Sequence, residues 1–313
     1  MTSRMSSQSP LRLLSIGFLI GVLCTFLMSC ALTGTDHSGA HAHWGSLVRR
    51  QAADTGILKL GNPGPVVDLL QREEYVASYD RRNRLPHWVG EHLTAQSLQA
   101  GENVDRDRSN FKEDKDIPAI FRARLSDYTR SGYDRGHMAP AADAVYSQDA
   151  MDQTFFLTNM SPQVGIGFNR HYWAYLEGFV RDLTNNYTDV YVYTGPLFLP
   201  RNNDTGYIDI DQETAPTNAN NPGYFMEYPL LGKIPNVAVP THFFKIVLVS
   251  SGSDSDYLLG VFVLPNQSIN SKTPLTDFQV QLSSVERVSG LQFFSEMDRN
   301  SFGELCSSYT CEL

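Results

Sequence analysis

Hydrophobic and polar positions divide the chain into unlike stretches. Leu13 to Leu32 is a largely apolar run of about twenty residues, the length at which a helix can cross a bilayer. Further along, short runs of β-type residues take over. Tyr75–Tyr79 and Trp88–Leu93 predict strands, and Val190–Thr194, Phe243–Val249 and Leu258–Val263 suit buried ones. Helical spacing appears once with strength: Trp173, Leu176, Phe179, Val180 and Leu183 recur as one stripe and predict a helix over 170–183. A shorter helix is expected from Asp149, giving way to a strand over Phe155–Thr158. Residues 201–224, rich in Asn, Gly, Asp and Pro, predict a long surface excursion. Many strands and few helices, not in strict alternation, define an α+β fold.

Charge sharpens this picture. No Asp or Glu precedes Asp36, while Arg4, Arg12 and several serines do. An acid-free start of this kind suits mitochondrial import. A secretory signal peptide or signal anchor has comparable standing, and Leu27-Met28-Ser29-Cys30 also resembles a lipoprotein cleavage box. The expected organisation is a targeting or membrane segment over 1–32, a linker over 33–57 and one folded domain over 58–313. His37, His41 and His43 in the linker lack a Cys or carboxylate to complete a metal site, so they are expected to be tether. The 313-residue chain carries a net charge of −9, which excludes a protein gripping nucleic acid over its whole surface but leaves room for a local basic groove. The dense mixed charges of 101–117 predict a solvated loop. Of four cysteines, Cys306 and Cys311 are close enough to pair or to remain two free thiols.

Three segments concentrate reactive side chains: Tyr133 to Asp143, containing Asp134-Arg135-Gly136-His137; Leu157 to Gln163, containing Asn159; and Phe168 to Glu177, in which Asn169, Trp173 and Glu177 recur every fourth residue, with Arg181 one step on. A neutral imidazole can take a proton near neutral pH. An amide oxygen can hold a hard cation without adding a full negative charge. On an ideal helix Asn169 and Glu177 would lie about 12 Å apart along the axis, too far to share a compact ligand shell.

These segments resemble the DNA/RNA non-specific endonuclease family, and within it the mitochondrial endonuclease G branch, especially its fungal members. Further correspondences are Gly64-Pro65, Arg72-Glu73-Glu74, Phe111-Lys112-Glu113-Asp114, Thr194-Gly195-Pro196-Leu197 and Val239 to Lys245. The resemblance spans about residues 58–311. It implies a ββα-metal (His–Me finger) fold, with a mixed or antiparallel central sheet flanked by helices. It also implies Mg²⁺-dependent hydrolysis of DNA and RNA phosphodiesters, with Mn²⁺ as a substitute, and a homodimer in mitochondria, at the inner membrane or in the intermembrane space. Residue by residue, it makes His137 the general base, Asn169 the single protein ligand of the metal, and Glu177 a holder of metal-bound water. Arg135 and Arg181 would contact phosphate or steady charge at the leaving group. Arg106, in preference to Arg108, would bind substrate. Asn159 would support the geometry on the substrate side.

Each residue also has a plainer expectation. Asn169 suits a helix cap, Glu177 a mid-helix position and Arg181 a pairing with Glu177 four residues earlier. Trp173 is expected in the core, Asp134 to fix the hairpin, Gly136 to permit close backbone approach, and His171 and His242 to be structural. Two other functions fit parts of the sequence: a membrane-tethered phosphodiesterase of another substrate, motivated by residues 13–32, and a non-catalytic nucleic-acid binder, against which the intact His137, Asn169 and Glu177 count.

Overall fold

The computed structural model describes residues 56–64, 68–203, 206–212, 223–253 and 256–312. The expected leader, the apolar run 13–32, nearly all of the linker, and residues 204–205 and 213–222 of the excursion lie outside these. Among the described residues no helix is long and apolar enough to cross a membrane.

In chain order the strands are β1 (Asp68–Gln71), β2 (Tyr75–Asp80), β3 (Leu85–Leu93), β4 (Asp134–His137), β5 (Met160–Gln163), β6 (Asp189–Leu197), β7 (Arg201–Asn202), β8 (Gly206–Tyr207), β9 (Leu230–Leu231), β10 (Val237–Ala238), β11 (His242–Ser250), β12 (Tyr257–Pro265) and β13 (Gly303–Glu304). The helices are α1 (Leu125–Tyr128), α2 (Gln148–Thr154), α3 (Trp173–Leu183), α4 (Leu282–Ser289) and α5 (Leu305–Ser308). Seven strands form one sheet in the order β1-β2-β3-β6-β11-β12-β13. All its pairings are antiparallel except β12 with β13, so the sheet is mixed, as expected.

Alternation along the long central strands gives the sheet two buried faces. Val89, Val192, Phe243 and Val247 face α3, whose Trp173, Leu176, Phe179, Val180 and Leu183 pack on them. Trp88, Tyr193, Phe244 and Ile246 face the other way, against Val285 of α4 and Phe293. Side chains such as these contribute about 1.5–3 kcal/mol each when fully buried. The expected domain start near Leu58 coincides with a 3-10 turn, Ile57–Leu60, whose Ile57, Leu58 and Leu60 join the second core.

Two expected elements differ from the observed ones. Phe155–Thr158 is not a strand: Phe155 closes α2, Leu157–Asn159 forms a 3-10 turn, and the strand begins at Met160. The apolar run is held instead by a crossing with Lys112, whose N–H donates to Phe155 O and whose O accepts from Leu157 N. The helix expected from Arg170 is regular only from Trp173. A wide turn, Gly165–Tyr172, precedes it, with non-helical Ile166 and Gly167 (φ +84°) and with Asn169 N donating back five residues to Val164 O. Gly167 is required there, because a Cβ would collide with Ser268. His171 Nδ1 accepts from Gly167 N at 3.0 Å and braces the turn. His242, the other histidine expected to be structural, stacks edge-on against Tyr207.

The excursion is partly ordered as the β7–β8 hairpin. Cys306 and Cys311 are joined, with 5.3 Å between their Cα atoms, so the alternative of two free thiols does not hold. The bridge ties down a C-terminal segment whose Tyr309 packs against Phe179 of α3.

Candidate active site

β4 and β5 pair antiparallel, with His137 opposite Met160 and Gly136 opposite Ser161. Gly136 is needed because the Gln163 side chain crosses its backbone: a Cβ would meet Gln163 Oε1 at 1.8 Å. Beyond His137 the chain is clamped by Asn159. Its Oδ1 accepts from Ala139 N (2.9 Å), and its Nδ2 donates to Ala139 O (2.9 Å) and Thr154 O (2.8 Å). Asn159 is fully buried and its amide is committed to backbone. It holds the geometry and offers no surface for substrate, a correction to its expected place on the substrate side.

The His137 ring lies against Phe155 (4.9 Å between centroids) and Phe111 (5.7 Å). Its Nε2 is buried without a hydrogen-bond partner, and the residue lines the cleft. Burial first, then the Arg106 charge, pull the imidazole down to about 3, so it is neutral at physiological pH.

Asp134, at the start of β4, reaches the turn before α3. It accepts from Asn169 Nδ2 (2.9 Å) and from Arg170 Nε and Nη2 (2.7 and 2.6 Å). The Arg170 bonds, joined by Asn169, hold its carboxyl below the usual range. Its expected part in fixing the hairpin therefore extends to the neighbouring helix. Asn169 lines the cleft, and with its amide nitrogen bound to Asp134 its Oδ1 is the amide atom left for a ligand there. Glu177 lines the same space. Desolvation lifts Glu177 to about 7 against the opposing charge of Lys245.

The cleft has a volume of about 730 Å³. His137, Asn169, Glu177, Arg135 and Arg106 line it together, and so do Arg130 and Arg170. Four arginines at one cleft answer the objection raised by the −9 net charge: the positive field is local. Two of them rest on aromatic rings rather than on carboxylates. The Arg135 guanidinium lies 4.1 Å from the Phe111 centroid and that of Arg106 5.4 Å from Phe155. Of the two upstream candidates, Arg106 lines the cleft. Arg108 instead donates to Gln148 and to the Asn103 carbonyl. Arg130, Tyr128 and Phe155 carry no motif of their own, and Phe111 enters only through the Phe111-Lys112-Glu113-Asp114 correspondence. Only the placement of Arg130 in a left-handed turn (φ +59°) beside the hairpin brings it in.

Arg181 does not join the cleft. Its Nη1 donates to Asp143 at 2.8 Å, so neither the expected phosphate contact nor the plain pairing with Glu177 is what it makes. The 101–117 stretch is exposed as expected in the main. Asp114 and Ile117 are the exceptions, Asp114 buried against Arg72 (2.6 Å) and Thr158 (2.6 Å).

A β-hairpin bearing an outward imidazole, packed on a helix whose entry turn presents an amide oxygen, with arginines around both, defines a ββα-metal phosphodiesterase. Residues 53–300 match the model of the DNA/RNA non-specific endonuclease family, and the chain belongs to it. A protein named "Nuclease" from Syncephalastrum racemosum is 56% identical over all of this chain and 96% of its own length. The "Mitochondrial nuclease" of Saccharomyces cerevisiae is 45% identical over 83% of this chain and 75% of its own. Among solved structures, EndoG in the EndoG/EndoGI complex superposes with a TM-score of 0.70 at 44% identity, covering 79% of this chain and 93% of that one. The chain is thus a sugar-non-specific endonuclease of a metal-dependent family.

Proposed function

We propose that the chain hydrolyses phosphodiesters in DNA and RNA with one divalent cation, magnesium, for which manganese can substitute. The residues fit such an ion. A hard cation prefers oxygen ligands and keeps most of its waters. Among the described residues no trio of His, Cys, Asp or Glu is grouped to hold a metal. Asn169 Oδ1, fixed by the Asp134 bond, would hold the ion. When bound, it supplies positive charge against the charge that builds on phosphate oxygens during displacement.

The rest falls to side chains. His137 Nδ1 takes the proton of the attacking water, the imidazole being neutral throughout the neutral range. Arg135 and Arg106, held on their phenylalanines, bind phosphate oxygens and stabilise charge in the transition state. Glu177, across the same space, accepts hydrogen bonds from water there. Arg181 acts from behind the cleft through Asp143. The observation that carries this reading is the shared cleft of His137, Asn169 and the arginines. It disfavours a non-catalytic binder, which needs no orphaned imidazole. The test is cleavage of plasmid and of RNA by the full chain, with and without EDTA, beside His137→Ala. Retained cutting in EDTA, or a fully active variant, would overturn it. Weaker turnover on plasmid than on small phosphodiesters would favour the tethered phosphodiesterase of another substrate.

The yeast relative's name supports a mitochondrial location. Residues 13–32 as a membrane tether at the inner membrane, and 58–313 as the nuclease domain, are proposed from the sequence alone. The Cys306–Cys311 bridge favours a second reading, a secretory signal anchor, because disulfides persist in oxidising compartments. Fractionation of tagged full-length protein separates the two. A homodimer is proposed from the endonuclease G resemblance alone, and light scattering of the purified chain tests it.

A further inference from the structure

Beneath α3, in the middle of an otherwise apolar core, lies a group of charges that the cleft chemistry leaves unexplained. Lys245 of β11 is 1% exposed and Glu91 of β3 is 1% exposed. Both stand on the sheet face that packs against α3. The Lys245 ammonium donates to Thr194 Oγ1 at 2.7 Å and lies 5.0 Å from the Trp173 ring. Trp173 is one helical turn before Glu177, so the ammonium sits under the stripe that carries Glu177 to the cleft. Both Glu91 carboxylate oxygens are buried, with the Asp143 carboxyl beside them. Asp143, equally buried, is bound by Arg181, and buried Glu74, just before β2, adds a carboxyl that acts on Glu91 and Asp143.

Charge balance narrows what these residues do. Glu74, Glu91, Asp143 and Glu177 face two cations, Lys245 and Arg181, and Arg181 is ion-paired to Asp143. Both cations act on Glu177, and the pull of Lys245 is the stronger of the two. Burial pushes Glu91 well above its ordinary range and pulls Lys245 down, which marks both charges as costly to keep there. An aliphatic side chain at 245 would pack with Trp173 and Val192 without that cost. A charged residue retained against packing preference is characteristic of a functional constraint.

We propose that Lys245 is a positioning residue for the nuclease reaction: counterbalanced by Glu91, its buried ammonium fixes the Glu177 carboxylate over the metal side of the cleft. This rests on the proposed role of Glu177, and it assigns Lys245 no contact with substrate.

The test compares wild type, Lys245→Met and the charge-balanced Lys245→Met/Glu91→Gln, all as full chains. Three quantities are read: thermal midpoint, kcat and KM on a short DNA duplex, and binding of Mn²⁺ alone to the free protein by electron paramagnetic resonance. Lys245→Met should lower kcat about 10- to 100-fold with KM changed less than about twofold, and should weaken Mn²⁺ binding about tenfold, the range for residues that support a metal site from behind. The double variant should regain the thermal midpoint but neither kcat nor Mn²⁺ affinity. If the single variant does not fold, the double variant carries the test. Recovery of kcat and Mn²⁺ affinity along with stability would reduce Lys245 to a structural counter-charge and overturn the proposal. So would wild-type kcat in a folded single variant. A wild-type chain that fails to cleave with Mg²⁺ would instead overturn the nuclease mechanism itself, a result distinguishable from either.

Discussion

The two faces of the central sheet are built from the same strands and serve different ends. On the face toward α4, Trp88, Tyr193, Phe244 and Phe293 form a core of large rings with edge-to-face contacts, such as Trp88 with Tyr193 at 6.0 Å. On the face toward α3 the apolar residues are interrupted by Glu91, Lys245 and Thr194. The first face is what composition alone would design. The second gives up part of its cohesion, and under the proposal above its charges position Glu177 on α3 from below. Strand alternation permits this division, since neighbouring residues such as Phe244 and Lys245 point into different cores.

That contrast can be broken experimentally, starting with the largest effect. His137→Ala should lower kcat on plasmid and RNA by about 10²–10⁴-fold, the span for a general base, while leaving the thermal midpoint almost unchanged. A large loss of stability instead would make the residue part of the hairpin's structure first. Asp134→Ala should weaken Mn²⁺ binding by about 10–100-fold, because Asn169 loses the acceptor that holds its amide nitrogen; titration of Mn²⁺ into the free protein measures this. On the opposite face, Phe244→Ala should cost about 3–5 kcal/mol in urea unfolding and leave kcat per folded molecule unchanged. If kcat fell as well, the two faces would not be separable. Replacing Cys306 and Cys311 by Ser should cost about 2 kcal/mol, at the low end for a short closed loop, and should abolish the effect of reductant on the midpoint.

Acid gives the smallest and most specific signal. The folded protein holds His137 at about 3, against 6.5 for an ordinary histidine. Between those values the unfolded chain binds a proton that the folded one refuses, so stability from this site is full above about 6.5 and falls as the pH drops toward 3. His137→Asn removes that contribution. Its midpoint should therefore fall less than the wild-type midpoint between pH 7 and pH 5; an identical fall would show that the imidazole is not desolvated.

Much of this was legible before any coordinates. The strands at Trp88–Leu93, Phe243–Val249 and Leu258–Val263 carry β-branched and aromatic residues that fit no other buried element. Asp134 to His137 and the Asn169–Glu177 spacing pointed to one site. Three features were not legible, each because a distant partner decided it. The turn from Gly165 to Tyr172 follows from packing of Gly167 on Ser268, about a hundred residues away in sequence. Arg181 had Glu177 in helical range, but Asp143 captures it from outside the helix. The end of α2 is set by the Lys112 crossing rather than by the Phe155–Thr158 side chains. The charges of Glu91 and Lys245 were visible as letters, but nothing local shows that both lie at the centre of a sheet.

Seating Arg106 and Arg135 on phenylalanine rings has a consequence for how the enzyme travels. Guanidinium groups braced by carboxylates would hand much of their field to those partners; resting on rings, they keep it for the polymer. The chain as a whole is anionic at −9, so the arginine cleft is where a long strand is expected to be held. Few phosphates are neutralised at once, roughly two to four, which corresponds to a shallow dependence of affinity on salt. Release of both ends after each cut is the expected outcome, and a limited digest of long DNA should show scattered breaks rather than a digested tract.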